Sequence, residues 1–238
     1  MDWGTSQARS FAPSISRAEI DAGLRAHMLR VYNYMALALV VTGLVAMFVA
    51  NTALGPIIFG TPLKWVAMLA PLAFVLVLSF GVHKMSFGTL QLVFWAFAAV
   101  MGVSIASIFM VFTGASVARG FFMTAAMFGA LSLYGYTTKS DLSKLGTVLM
   151  IGVIVLVVLS LVNIFLGSSL LSVLINAAVI IVFLGLTAYD TQRIKEEFSE
   201  NYGHETVGKL AILGALGLYL NFINIFQALM ALTGQREE

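Results

Sequence analysis

Few side chains in this 238-residue sequence could do chemistry, and their spacing limits what that chemistry is. There is no Cys, which removes thiolate nucleophiles, thiolate metal sites and disulfide scaffolds together. His27, His83 and His204 fall in three separate segments without the paired spacing of a metal site, and read as interfacial or loop residues. Gly203-His204-Glu205-Thr206-Val207-Gly208-Lys209 follows a phosphate-loop pattern, but Leu210 stands where a hydroxyl should hold magnesium. Neither Gly-x-Ser-x-Gly nor His-Glu-x-x-His occurs, so no nucleophile–base set is visible and the chain is not expected to be an enzyme. What remains is Asp190, the one carboxylate attached directly to a long apolar run, and a set of amides and glycines near the C-terminus.

These residues matter because of the company they keep. Hydrophobic residues make up 60% of the chain and charged ones 10%, against a usual ~25% charged in soluble domains. So little polar surface cannot coat a globule of this size in water, which excludes a soluble enzyme. The 13 Lys and Arg are thinly spread and make no basic stripe, which excludes a nucleic-acid binder. The composition is that of an all-α integral membrane protein, with the lipid bilayer as its first partner.

Charges mark out the spans. None occurs in Val31 to Leu63, Trp65 to His83, Met85 to Ala118, Gly120 to Thr138, Leu145 to Tyr189 or Leu210 to Gln235. A membrane helix needs ~20 apolar residues. The fifth interval has 45 residues and would run ~68 Å as a single helix, so it must fold back, most simply at Gly167-Ser168-Ser169. Seven spans follow, near 31–53, 64–82, 87–110, 117–137, 145–166, 170–190 and 209–232. With the N-terminus cytoplasmic, ten cations fall inside and only Lys64, Arg119 and Arg236 outside, an asymmetry that predicts N-in and C-out. Residues 1–30 do not read as a signal peptide, since they carry Asp2, Glu19 and Asp21 without a short apolar core. Instead, a capping box Ser16-Arg17-Ala18-Glu19 opens a short amphipathic helix expected along the cytoplasmic surface, ahead of a membrane domain over residues 31–238.

Polar residues at depth must find partners. On the last span, Gly214, Gly217, Asn221, Asn224 and Ala228 fall within about 80° on one helix face. Such a stripe of small and amide residues serves close helix packing or lines a path for ions. On the sixth span, Asn176, Phe183, Thr187 and Asp190 share a face, and Arg193 follows one turn on. Asp190 is an interfacial partner of Arg193 if the span ends there. A turn inside the hydrocarbon it becomes costly, ~2.5–3.5 kcal/mol for an ionised group at the centre, and hence a functional candidate.

Three stretches carry a family resemblance. They are Phe121-Phe122-Met123-Thr124-Ala125-Ala126 through Gly135-Tyr136-Thr137-Thr138-Lys139-Ser140-Asp141-Leu142-Ser143, then Ala188-Tyr189-Asp190-Thr191-Gln192-Arg193-Ile194, and last Leu218-Tyr219-Leu220-Asn221-Phe222-Ile223-Asn224-Ile225-Phe226. In this order, from about residue 20 onward, the chain resembles the bacterial branch of the Bax inhibitor-1 family. The resemblance implies seven transmembrane helices with the last one central and surrounded by the other six. It also implies a pH-sensitive calcium leak in a bacterial inner (plasma) membrane, with calcium as transported ion rather than cofactor, and association with stress tolerance. A non-transporting role, restraining a membrane-anchored AAA protease, is the alternative it carries.

In that family two facing acidic residues act as proton sensor and gate. Carried over by position, the first is Asp190 and the second falls on Asn221, which is not acidic. Two close carboxylates titrate as a unit, whereas an amide cannot share the proton or add charge. A simpler or weaker pH response is therefore expected. One charge is also a sparse site for calcium, which takes six to eight oxygens, so Thr187, Asn224, backbone carbonyls and water would have to complete it. Counted from Lys209, Asn221 lies ~18 Å along its helix, near the midplane while Asp190 is close to the surface, so the two are expected to meet only if the seventh helix starts deeper or is broken.

Overall fold

The computed structural model describes residues 17–82, 84–199 and 202–236, with side chains from residue 21. Eight helices occur among them: α1 Arg17–Ala50, α2 Leu54–Phe59, α3 Leu63–Gly81, α4 Phe87–Val111, α5 Gly114–Thr137, α6 Ser143–Leu166, α7 Ser169–Glu197 and α8 His204–Thr233. All but α2 are long and apolar enough to cross a membrane, so the seven spans stand. The six-residue α2, a short element between the first two spans, was not expected.

Local chemistry explains the breaks. The expected fold-back is a tight hairpin: Gly167 ends α6 at φ 61°, a left-handed turn that favours glycine. Ser168 then caps α7 by accepting from the Leu171 amide. Ser86 and Thr113 cap α4 and α5 in the same way. At the start of α6 the exposed Asp141 carboxylate accepts from the Ser143 amide at 2.8 Å, and hydrogen bonding by the Ser143 side chain first and this amide second holds its pKa below the usual carboxylate value.

At the N-terminus, α1 is one continuous helix from Arg17, with no separate surface helix among the described residues. Ser16 of the expected capping box, and His83, lie outside the described residues. His27 is not in a loop: it sits on α1, buried, with its ring stacked on Phe198 at 5.1 Å.

The most apolar span is the most lipid-exposed, and one of the two least apolar is the most buried. α6 has the highest mean hydropathy, 3.0, and only 6% of its most apolar stretch is buried; α8 has 1.6 and 67%. Lipid accepts Leu, Val and Ile without cost, so the helix with amides and glycines goes inside. α8 packs on α7, α1, α5 and α4, while α6 leans chiefly on α7 and α3 on α4. The described packing thus gives α8 four close neighbours, with Met68 and Pro71 of α3 facing its Asn224 and Gln227 across a cavity of about 340 Å³.

Candidate functional site

The site lies where α7 crosses α8. The two helices run antiparallel, with Ile194 against Gly214 and Asp190 against Asn221. In that register the first turns of α8 project past the end of α7, and Lys209 is paired there with Glu205 at 2.8 Å. The expectation that contact needs a deeper start or a break in the last helix is not met: α8 is continuous and begins farther out, and α7 runs on to Glu197, two turns beyond the expected end, so the depth mismatch counted from Lys209 disappears.

Asp190 is 8% exposed. Its Oδ2 accepts a hydrogen bond from Asn221 Nδ2 at 2.7 Å, and its Oδ1 faces the Arg193 guanidinium at 3.4 Å. Arg193 is half-exposed, also reaches Glu197 at 3.4 Å, and lies over the Tyr189 ring at 5.7 Å. The carboxylate therefore has one short neutral partner from within the bundle and one longer cationic partner from its rim. A Cβ on Gly217 would lie 3.8 Å from Asp190 Oδ2, an ordinary contact, so the acid's space does not depend on this glycine. Gly214 is tighter: an added Cβ would lie 3.0 Å from the Ile194 side chain.

The other expected members stand apart. Thr187 is fully buried one turn away, but its hydroxyl donates to the Phe183 carbonyl of its own helix at 2.8 Å. Asn224 donates back to Leu220 O at 2.8 Å and faces the α3/α4 cavity. Asn176 is not part of the site: fourteen residues from Asp190, it lies ~21 Å along α7. It donates to Ser172 O and lines a separate cavity with Ser160 and Asn163. Sharing a helix face does not mean sharing a depth. No group of three or more His, Cys, Asp or Glu that could hold a metal occurs among the described residues.

Several supports were not anticipated. Thr191, next to Asp190, is bonded to Ser132 of α5 at 3.0 Å, and Ser132 in turn to Tyr32 of α1 at 2.5 Å. The Gln192 carboxamide accepts from Leu142 N and donates to Ser140 O, both at 2.8 Å, fastening α7 to the α5–α6 loop. Gly135 of α5 lies so close to Ala188 that a Cβ there would run into the Ala188 carbonyl. Deeper in the core, Tyr219 is completely buried; its hydroxyl is bonded to Thr42 at 2.7 Å, and Thr42 also donates to Ala98 O at 2.8 Å. Ser, Thr and Gln in helices carry no sequence signal of an interhelical bond, because each can equally bond its own preceding turn. Of these residues, only those inside the family-like stretches could have drawn notice.

Comparison with known proteins gives the family. The model of the family described as inhibitor of apoptosis-promoting Bax1 matches residues 24–238. The inner membrane protein YbhL of Escherichia coli is 42% identical over 230 residues, which cover 95% of this chain and 98% of that protein. The uncharacterised protein RP147 of Rickettsia prowazekii is 43% identical over 92% of this chain and 93% of its own length. A protein of Caulobacter vibrioides is 41% identical over 100% and 99%. A seven-span bundle with an acid–amide contact between its last two helices, matched along nearly its whole length by such relatives, is a membrane protein that belongs to the Bax inhibitor-1 family.

Proposed function

We propose that this chain is a proton-responsive leak pathway for calcium or other cations, gated where α7 meets α8. The observation that carries the reading is the buried Asp190 carboxylate, held by Asn221 across the helix interface with only a loose ion pair to Arg193. A scaffold has no need of a carboxylate there, and intramembrane acids cost stability unless they serve a task. Ionised, Asp190 offers a passing cation a single charge and few oxygens, which suits transit better than retention. Protonated, it loses that attraction and its hold on Arg193. The inner membrane location of the E. coli relative supports a plasma-membrane setting, and the ten-to-three distribution of cations supports a cytoplasmic N-terminus.

The test is calcium flux into liposomes carrying the purified chain between pH 5 and 8. Asp190→Asn fixes the neutral form, so its flux should be flat with pH and equal to the low-pH limit of the native protein. Flux that keeps its native pH profile in this variant would overturn the assignment of Asp190. Absence of flux in the native protein, together with co-purification of a membrane-anchored AAA protease, would instead establish the regulatory role.

A further inference from the structure

α1 and α5 line one side of α8 with little packing on each other: α1 rests chiefly on α4 and α8, and α5 on α7 and α8. The Tyr32–Ser132 bond ties them at one level, and a cleft follows the rest of the seam. Toward the α1 N-terminus it widens to a cavity of about 550 Å³, walled by Met28, Phe128 and Leu133. Toward the other end lies a second, of about 380 Å³, floored by Phe222 and Phe226 of α8. Both have open space beside their glycines: a Cβ on Gly129, Gly43 or Gly114 would meet nothing within 4 Å. Leu29 and Leu133, on the rim of the larger cavity, are 54% and 64% exposed, so it opens to the side of the bundle, where the bilayer lies.

The occupant can be argued from shape and charge. Apolar walls make the cavity a poor place for water, which needs several polar partners. A helix is ~10–12 Å across and would have to force the rims apart; an acyl chain is slender enough to enter. Arg25 lines the same cavity at the end where a lipid headgroup would sit, is exposed, and forms no ion pair with a described residue. Tyr136, also in the lining, has the Lys195 ammonium 5.3 Å from its ring centroid. An apolar slot with an Arg at its headgroup end matches a phospholipid, since guanidinium pairs with phosphate in a planar, bidentate manner.

We propose that the α1/α5 cleft is a phospholipid site: one acyl chain lies over Gly129 between Met28 and Phe128, and Arg25 holds the phosphate. The bound chain touches Tyr32, whose hydroxyl leads through Ser132 to Thr191 beside Asp190. The site would exist whether or not the protein conducts ions.

Native mass spectrometry of the delipidated full-length protein, reloaded with dioleoylphosphatidylglycerol, tests the proposal. One lipid should be retained under activation that strips the rest. Gly129→Phe, which fills the slot, should lower that retained fraction at least roughly tenfold, and Arg25→Gln by roughly tenfold, the equivalent of ~1.4 kcal/mol. Val148→Phe, on the lipid-facing side of α6, should leave it unchanged. Dioleoylglycerol, which lacks the phosphate, should be held less tightly and be indifferent to Arg25→Gln. Gly129→Leu and a thermal melt accompany the set, so that misfolding is separated from loss of lipid. Native retention in folded Gly129→Phe and Gly129→Leu would overturn the site. So would equal binding of dioleoylglycerol, or saturation of Arg25 by inorganic phosphate alone.

Discussion

An amide opposite a carboxylate behaves unlike a second acid. Asn221 can donate to Asp190 whether or not the acid is ionised, so the 2.7 Å contact holds α7 to α8 without requiring a proton. Asn221→Asp would place two carboxyl groups at that distance, and such pairs lose their protons in two coupled steps. The expected outcome is a pH–flux curve with two inflections in Asn221→Asp and one in the native chain, read in the same liposome assay. The buried Tyr219 supports a second residue-scale prediction. Tyr219→Phe leaves Thr42 its bond to Ala98 O, so only one interhelical bond is lost. The cost should be ~0.6–2 kcal/mol, the range for such bonds within membranes, measured by unfolding in mixed detergent micelles. Asp190 and Asn221 were readable in the sequence because an acid and amides interrupt apolar runs. Tyr32, Ser132 and Thr191 were not, because a hydroxyl on a helix does not announce which neighbour it will face.

Elements meet through glycines here, and the individual distances separate those that matter from those that do not. Gly135 and Gly217 both lie near α7, but an added Cβ would overlap the Ala188 backbone in the first case and make ordinary contact with Asp190 in the second. Gly135→Ala should therefore destabilise by ~1–3 kcal/mol as α5 is pushed off α7, the usual scale of overpacking. Gly217→Ala should fold with little change; comparable thermal unfolding midpoints for the two variants would contradict this reading of the interface. The spans themselves were legible from charge-free intervals, and the α6–α7 hairpin from a glycine in an interval too long for one crossing. The extension of α7 to Glu197 was hidden, because its last two turns are amphipathic and polar like a loop. Asn176 misled for a related reason: periodicity fixes azimuth around a helix and says nothing of height.

For the molecule as a whole, the distribution of Lys and Arg makes a sharp prediction. An alkaline phosphatase fused after the C-terminus should be active in the periplasm of a bacterial host, and a fluorescent protein at the same place should be dark when exported unfolded. The reverse pattern would mean that the cations do not set the topology. Neighbour relations were the least legible level: sequence gave seven helices, but only contacts assign α8 to α1, α4, α5 and α7, and leave α6 leaning chiefly on α7, its long outer face open to lipid. The cleft between α1 and α5 belongs to the same level, since it arises from two helices that share a neighbour and meet each other at little more than the Tyr32–Ser132 bond.

The Gln192 carboxamide spends both its ends on the Ser140–Leu142 backbone, two residues from the acid. Loop and carboxylate are in effect tethered by one stiff strut. Tension applied to that loop from outside the membrane would reach the α7–α8 crossing within a single helical turn, with no soft joint between them to absorb it.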